Sequence, residues 1–230
     1  MKNLPTPKIY EQEYTYMPWG ILISAVLDII KARAPLGGGV IDLMCGTGYL
    51  LGEIKKSRSD LILEGIDKDN GFIHYAQKKH PTIPFRIANV LSWSPAGKYD
   101  LVLCTGALHH LPYADQIPFL EKIPACLTRD GFAILADTYI DDYSSGQERK
   151  QAAAKLGCEY LLATIENDAP KKITQAAVDI LCNDVMGFEF KTSIEKMRPA
   201  FKRLFSKVEI KKTWPKSATA YGDYYCICRN

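Results

Sequence analysis

From Val40 to Asp137, short apolar runs alternate with helical stretches, and no other feature constrains the fold of this chain as tightly. Val40–Met44 reads as a buried strand and Tyr49–Lys56 as a helix. Leu61–Ile66 is a second strand, with a helix around Asn70–Lys79. Phe85–Ala88 is a short third strand. Tyr99–Thr105 is a fourth, followed by a helix over about Ala114–Cys126, and Gly131–Asp137 is a fifth. Such alternation implies a parallel sheet with helices on both faces. Val208–Lys212 and Tyr224–Cys228 read as closing strands. The expected class is therefore α/β, a Rossmann-like, doubly wound, mostly parallel seven-stranded sheet.

The flanks differ. The opening is irregular, with three prolines by Pro18, and leads into an amphipathic helix at about Trp19–Arg33, whose apolar residues fall at 19, 22, 23, 26, 27 and 30. Pro35 and Gly37 to Gly39 stop it. After Asp137 the rhythm breaks. Helical patterns near Glu148–Glu166, Ile173–Asn183 and Ser193–Phe205 replace it. The chain of 230 residues is read as one domain: an N-terminal helical cap at 1–37, a core at 38–138 and a helical insertion at 139–192. An insertion there is expected to act as a lid over the strand ends, where open α/β sheets bind ligands.

A formal charge of +3 with basic residues spread along the chain calls for neither a nucleic-acid nor a membrane partner. The longest apolar run, Gly20 to Val26 with Ile29 and Ile30 beyond Asp28, is too short to span a bilayer. None of the seven cysteines has zinc-ligand spacing, and no secretory pattern precedes the first acidic residues. The expectation is a cytoplasmic protein with reduced thiols and no metal site.

The first strand runs into "VIDLMCGTGYL", Val40–Leu50. Gly46, Gly48 and Gly52 form G-x-G-x-x-x-G, which lets a ligand lie against backbone at a helix N-terminus. Asp67 follows Gly48 by 19 residues, where a carboxylate can hold a ribose diol. Asp42, four residues before Gly46, adds negative charge that suits a cationic ligand better than a pyrophosphate. A P-loop is excluded by the missing Gly-Lys-Ser/Thr. Ribose and positive charge together fit S-adenosyl-L-methionine.

These residues resemble motif I of the class I S-adenosylmethionine-dependent methyltransferases, D-x-G-x-G-x-G, with Met44 at the first glycine position. "LEGID" (Leu63–Asp67), "FRIANV" (Phe85–Val90), "YDLVLCTGALHHLP" (Tyr99–Pro112) and "LTRDGFAILAD" (Leu127–Asp137) resemble the later motifs in order, over about residues 38–138. The resemblance implies a cofactor site of Asp42, Met44, Cys45, Gly46, Gly48, Asp67, Lys68, Asn89, Val90 and Thr105, with Asn89 facing the adenine amino group. In related small-molecule enzymes the N-terminal helix packs over the cofactor, which brings in Tyr14 and Tyr16, with Trp19 beside them.

His109 and His110 follow the fourth strand, where active sites of this family open. Either is a candidate proton acceptor, with His110 preferred. Adjacent side chains in a loop diverge, so one of the two is expected to face the pocket. In-line alignment in a dry pocket is the alternative to a base. The acceptor is expected to be a small molecule: the chain shows no basic stripe, and no Asn/Asp-Pro-Pro-aromatic tetrad follows the fourth strand. An NADP-dependent oxidoreductase and a non-catalytic methyltransferase-like subunit are the rival functions.

Overall fold

In the computed structural model, which describes residues 5–230, the strands are β1 (Gly39–Leu43), β2 (Ile62–Asp67), β3 (Phe85–Ile87), β4 (Tyr99–Thr105), β5 (Leu127–Tyr139), β6 (Lys207–Trp214) and β7 (Gly222–Arg229). They form one sheet in the order β3-β2-β1-β4-β5-β7-β6. The first five are parallel, and β7 runs antiparallel to both β5 and β6. The strand order reverses between β1 and β4. The crevice beyond their carboxyl ends is the place where such sheets bind ligands.

The central strands β1, β4 and β5 are buried on both faces, so successive side chains feed two cores. Ile41, Leu43, Val102 and Cys104 pack with Phe119, Ile123 and Phe201, from α5 (Tyr113–Cys126) and α8 (Ile194–Leu204). Val40, Leu101 and Leu103 pack on the opposite face with Val26, Leu51, Ile54 and Ile73, from α2 (Trp19–Arg33), α3 (Tyr49–Ser57) and α4 (Asn70–Lys79). Each such aliphatic side chain contributes about 1.5–3 kcal/mol by leaving water.

Two expectations need correction. The three-proline opening is not irregular: α1 (Pro7–Tyr16) starts with proline in its first turn, where the missing N–H costs nothing. Pro18 stands between α1 and α2, which meet at 86°. The fifth strand begins at Leu127 rather than Gly131, because Leu127 already pairs with Tyr99 before a register shift, and it ends at Tyr139 opposite Gly222.

The insertion is a helical hairpin of α6 (Gly146–Glu166) and α7 (Lys171–Met186). It forms a third cluster, Ala153, Leu156, Tyr160, Ile173 and Ala177, together with Met17 from the α1–α2 junction. Cap and insertion thus share a core. Among the described residues no single helix is long and apolar enough to cross a membrane.

Candidate active site

Beyond β1 the chain turns sharply. Met44 adopts a φ of 61°, and Gly46 and Gly48 have φ of 53° and 70°. A side chain in this region costs about 1–2 kcal/mol, so glycine suits both turns and Met44 does not. Met44 is held there by packing on the core beside α5. Gly48 has a second reason to be glycine, since a Cβ would lie 2.5 Å from the Phe85 ring.

Asp67, at the end of β2, accepts the Gly46 N–H at 2.9 Å and the Asp69 N–H at 2.8 Å. It therefore ties the glycine loop to the start of α4. Burial still raises its carboxyl above the usual range. Burial, then repulsion from Asp67, pushes the Asp42 carboxyl up to about 8. Two confined carboxylates that oppose each other's ionisation are relieved by a cation. The buried hydroxyls of Thr47 and Thr105 have no hydrogen-bond partner among the described residues. These are observations of a crevice built for a polar, positively charged guest, and the residues fit S-adenosylmethionine.

α1 crosses this crevice. Tyr10 lies 3.8 Å from where a Gly46 Cβ would stand, and its ring packs against Phe72 with centroids 5.4 Å apart. Tyr14 stacks between Tyr49 and Trp19, at 4.1 and 4.3 Å. Glu11 anchors α1 to α4 by pairing with Lys79 and accepting from the Tyr75 hydroxyl at 3.1 Å.

A cavity of about 370 Å³ opens between α1, the carboxyl ends of β4 and β5, and the α6–α7 hairpin. Tyr10, Trp19 and Tyr160 give it aromatic walls, and Glu13, His109, His110 and Glu189 its polar ones. Leu108–His110 is a 3₁₀ turn, not an extended loop. Both histidines therefore reach the cavity, with ring centroids 4.1 Å apart. This corrects the expectation that only one would.

The two imidazoles are not equivalent. Asp137, buried at the end of β5, bonds His109 Nδ1 at 2.5 Å and accepts the His109 N–H at 3.1 Å. Burial opposes a charge on His109, yet Asp137 raises it above the ordinary imidazole range. His110 has no such support: burial and the neighbouring His109 lower it to about 3. Of the two candidates it is His109, not the preferred His110, that has a built orienting partner.

Glu189 is 1% exposed and stands opposite both rings. Phe190 N–H donates to the His109 carbonyl at 2.8 Å, which fixes the register of the two segments. Burial disfavours the Glu189 charge, but Lys191 and the histidines hold its carboxyl below the usual range. Lys191 is bonded to Glu189 at 2.9 Å and to both oxygens of Asp184 at 2.8 and 2.9 Å. Arg149 adds bonds to the carbonyls of Asp184 and Glu189, at 2.6 and 2.9 Å. Together they lock the end of α7 to α6 and to the segment that carries Glu189.

Of the other residues expected at the site, Cys45 lies within the loop, its thiol pushed up by burial. Val90 is buried in the sheet core, and exposed Asn89 already accepts the Leu91 N–H at 3.0 Å through its amide oxygen. Lys68 is exposed at the crevice rim. Tyr16 is not at the crevice. It packs with the hairpin cluster, because the last turn of α1 faces α6 and α7. Tyr10, Glu13, Asp137 and Glu189 were not foreseen. The signals for the first three were the dense acidic and aromatic run Tyr10–Trp19 and the acid near the end of β5; Glu189 had none.

Comparison with known proteins agrees with this geometry. Residues 40–131 match the family described as methyltransferase domain. A trans-aconitate 2-methyltransferase from Acidovorax sp. (strain JS42) is 23% identical over 158 residues, 68% of this chain and 60% of that protein. A TehB-like SAM-dependent methyltransferase from Corynebacterium glutamicum superposes with a TM-score of 0.60 at 16% identity, covering 97% of both chains. The plantazolicin methyltransferase BpumL, solved with a monoazolic desmethylPZN analog and SAH, gives 0.64 at 14% identity, covering 97% of this chain and 90% of that one. The chain spans from about a quarter to three fifths of the length of the first curated relatives it matches. Sheet order, glycine loop and family match converge: residues 40–131 match a methyltransferase domain, and the whole chain has the Rossmann-like α/β fold of the class I S-adenosylmethionine-dependent methyltransferases.

Proposed function

We propose that the protein transfers a methyl group from S-adenosylmethionine to a small acceptor held in the 370 Å³ cavity. The observation that carries this reading is the position of the cavity. It adjoins the glycine crevice through Tyr10 and Gly106, and His109, whose ring Asp137 orients, stands in its floor.

The cofactor supplies an electrophilic methyl on a sulfonium. The chain's residues do the rest. Asp67 holds the ribose, and the Asp42 carboxylate favours the cationic half of the cofactor. The hairpin and α1 wall off water and hold the acceptor in line with the methyl group. The wall of His109, His110 and Glu189 is where the acceptor's nucleophilic atom is held and activated. The family's acceptors differ widely, so cavity size and an apolar body with one polar end are the guides to substrate class.

Calorimetry with S-adenosylhomocysteine, followed by a metabolite screen for methyl uptake from labelled cofactor, tests the reading. Saturable cofactor binding with at least one methylated small acceptor is expected. Absence of binding to either cofactor form would leave the chain a methyltransferase-like subunit without catalysis.

A further inference from the structure

Three side chains with potential ligand atoms converge on the cavity floor. His109 Nε2 lies 3.6 Å from Glu189 Oε2, and His110 Nδ1 lies 3.6 Å from Glu189 Oε1. All three side chains bring their ligand atoms within 4.8 Å of one another. A direct hydrogen bond is excluded at 3.6 Å. Glu189 Oε1 is nevertheless buried and without a hydrogen-bond partner among the described residues. Such an oxygen costs about 1–3 kcal/mol unless something else satisfies it.

We propose that His109, His110 and Glu189 bind a divalent first-row transition ion at the floor of the acceptor cavity.

Spacing decides the kind of guest. Tetrahedral ligands about 2.1 Å from a central ion are roughly 3.4 Å apart, close to the 3.6 Å between His110 Nδ1 and Glu189 Oε1. Acceptors around an ammonium at hydrogen-bond distance, about 2.9 Å, would stand roughly 4.7 Å apart. Two imidazoles with one carboxylate select a transition ion over magnesium or calcium, which take oxygen ligands.

The surroundings match those of a built metal site. A metal-bound histidine commonly donates its second nitrogen to a carboxylate, which fixes its tautomer and aim. Asp137 does this for His109, through Nδ1 at 2.5 Å, leaving Nε2 turned to the cavity. Lys191 occupies Oε2 of Glu189 and so selects Oε1 as the free oxygen. Asp137, Asp184 and Glu189 bring three carboxylates against the two cations Lys191 and Arg149. That count is one positive charge short before the imidazoles are considered. An ammonium as near as Lys191 weakens the site for a dication, which makes the ion exchangeable and removable by chelator.

Three protein ligands leave a position open towards the cavity, the arrangement of catalytic rather than structural ions. This last point rests on the methyl-transfer reading: an acceptor oxygen or nitrogen bound there would be made more acidic and fixed in direction. Ion binding itself does not depend on it.

Cobalt(II) is the probe. Protein stripped with a chelator is titrated with Co²⁺ and followed by visible d–d absorption, then challenged with Zn²⁺. One equivalent per chain should saturate a visible band that Zn²⁺ abolishes, and His110→Ala should lose it. His110 is one-third exposed, so that truncation leaves the core intact. Zn²⁺ should also raise the melting temperature of the wild type and not that of His110→Ala. The proposal is overturned by no saturable band, by an equal band in His110→Ala, or by a near-ultraviolet thiolate-to-cobalt band that puts the ion on cysteine. S-adenosylhomocysteine calorimetry on the same stripped protein reports on the cofactor site separately.

Discussion

The glycine crevice and the acceptor cavity lie side by side, yet they are built in different ways. The crevice comes from contiguous segments at the ends of β1 and β2, where Asp67 binds the loop that precedes it in sequence by 21 residues. The cavity is assembled from α1, the turn after β4, the end of β5 and the segment after α7, so Glu13 and Glu189 meet across most of the chain. A site made by strand-end geometry tolerates change elsewhere. A site made by a cap docking on a sheet depends on every contact that seats the cap.

The sharpest way to break this contrast is to unseat the end of the α6–α7 hairpin. Lys191→Met leaves Asp184 and Glu189 buried without their cation, which costs about 3–5 kcal/mol. Denaturant unfolding should show that loss. Calorimetry on the protein that remains folded should show cofactor affinity far less affected.

His109→Ala should lower turnover by about a hundredfold or more, with little change in cofactor affinity. Single-turnover methyl transfer measures the first and calorimetry the second. Asp137→Asn should follow it in the same direction, since it removes the partner that aims the ring.

Asp67→Ala attacks the other region. Losing the charge-assisted bonds to ribose should weaken S-adenosylhomocysteine binding by about 1.5–3 kcal/mol. Because Asp67 also satisfies the Gly46 and Asp69 amides, melting temperature should fall with it. An unchanged dissociation constant would remove the ribose from Asp67.

A pH series sharpens the role of Asp42, whose folded-state carboxyl is pushed up to about 8 by burial and by Asp67. A raised carboxyl favours the folded state fully below its unfolded value, about 3.9. That advantage is lost as pH climbs through about 8. Asp42→Asn should therefore flatten the fall in melting temperature over this window, and the gap between variant and wild type should widen with pH.

The smallest effects separate two tyrosines of one helix. Tyr14→Ala removes a ring stacked on Tyr49 and Trp19 beside the glycine loop and should weaken cofactor binding measurably. Tyr16→Ala should leave that affinity within about twofold, in keeping with substitutions away from a site, because Tyr16 faces the hairpin.

Legibility followed the same division. The α4 and β4 boundaries read from sequence agree with those of the structure, because period-2 and period-3.6 patterns are local properties of the chain. Asp42, Gly46 and Asp67 could be singled out because backbone turns and strand ends fix their neighbours. α1 was missed because its prolines resemble a loop opening, although one of them fits the first helical turn. His109 could not be told from His110 in sequence, since the distinction lies in Asp137, 28 residues further on, and in a 3₁₀ turn that brings both rings to one side. The Tyr75-x-x-x-Lys79 pair imitates a dehydrogenase motif, but its structural task is to hold Glu11 of α1.

The sequence by itself determined the parallel sheet, the crevice beyond β1 and the charge of the ligand it suits. Apolar periodicity, left-handed turns and acids at strand ends act within a few residues of one another. Only the tertiary structure decided which histidine has an orienting carboxylate, where the acceptor cavity lies and that Glu189 closes its floor. Those are contacts between segments tens of residues apart, set by how the cap and the α6–α7 hairpin bury their shared apolar face.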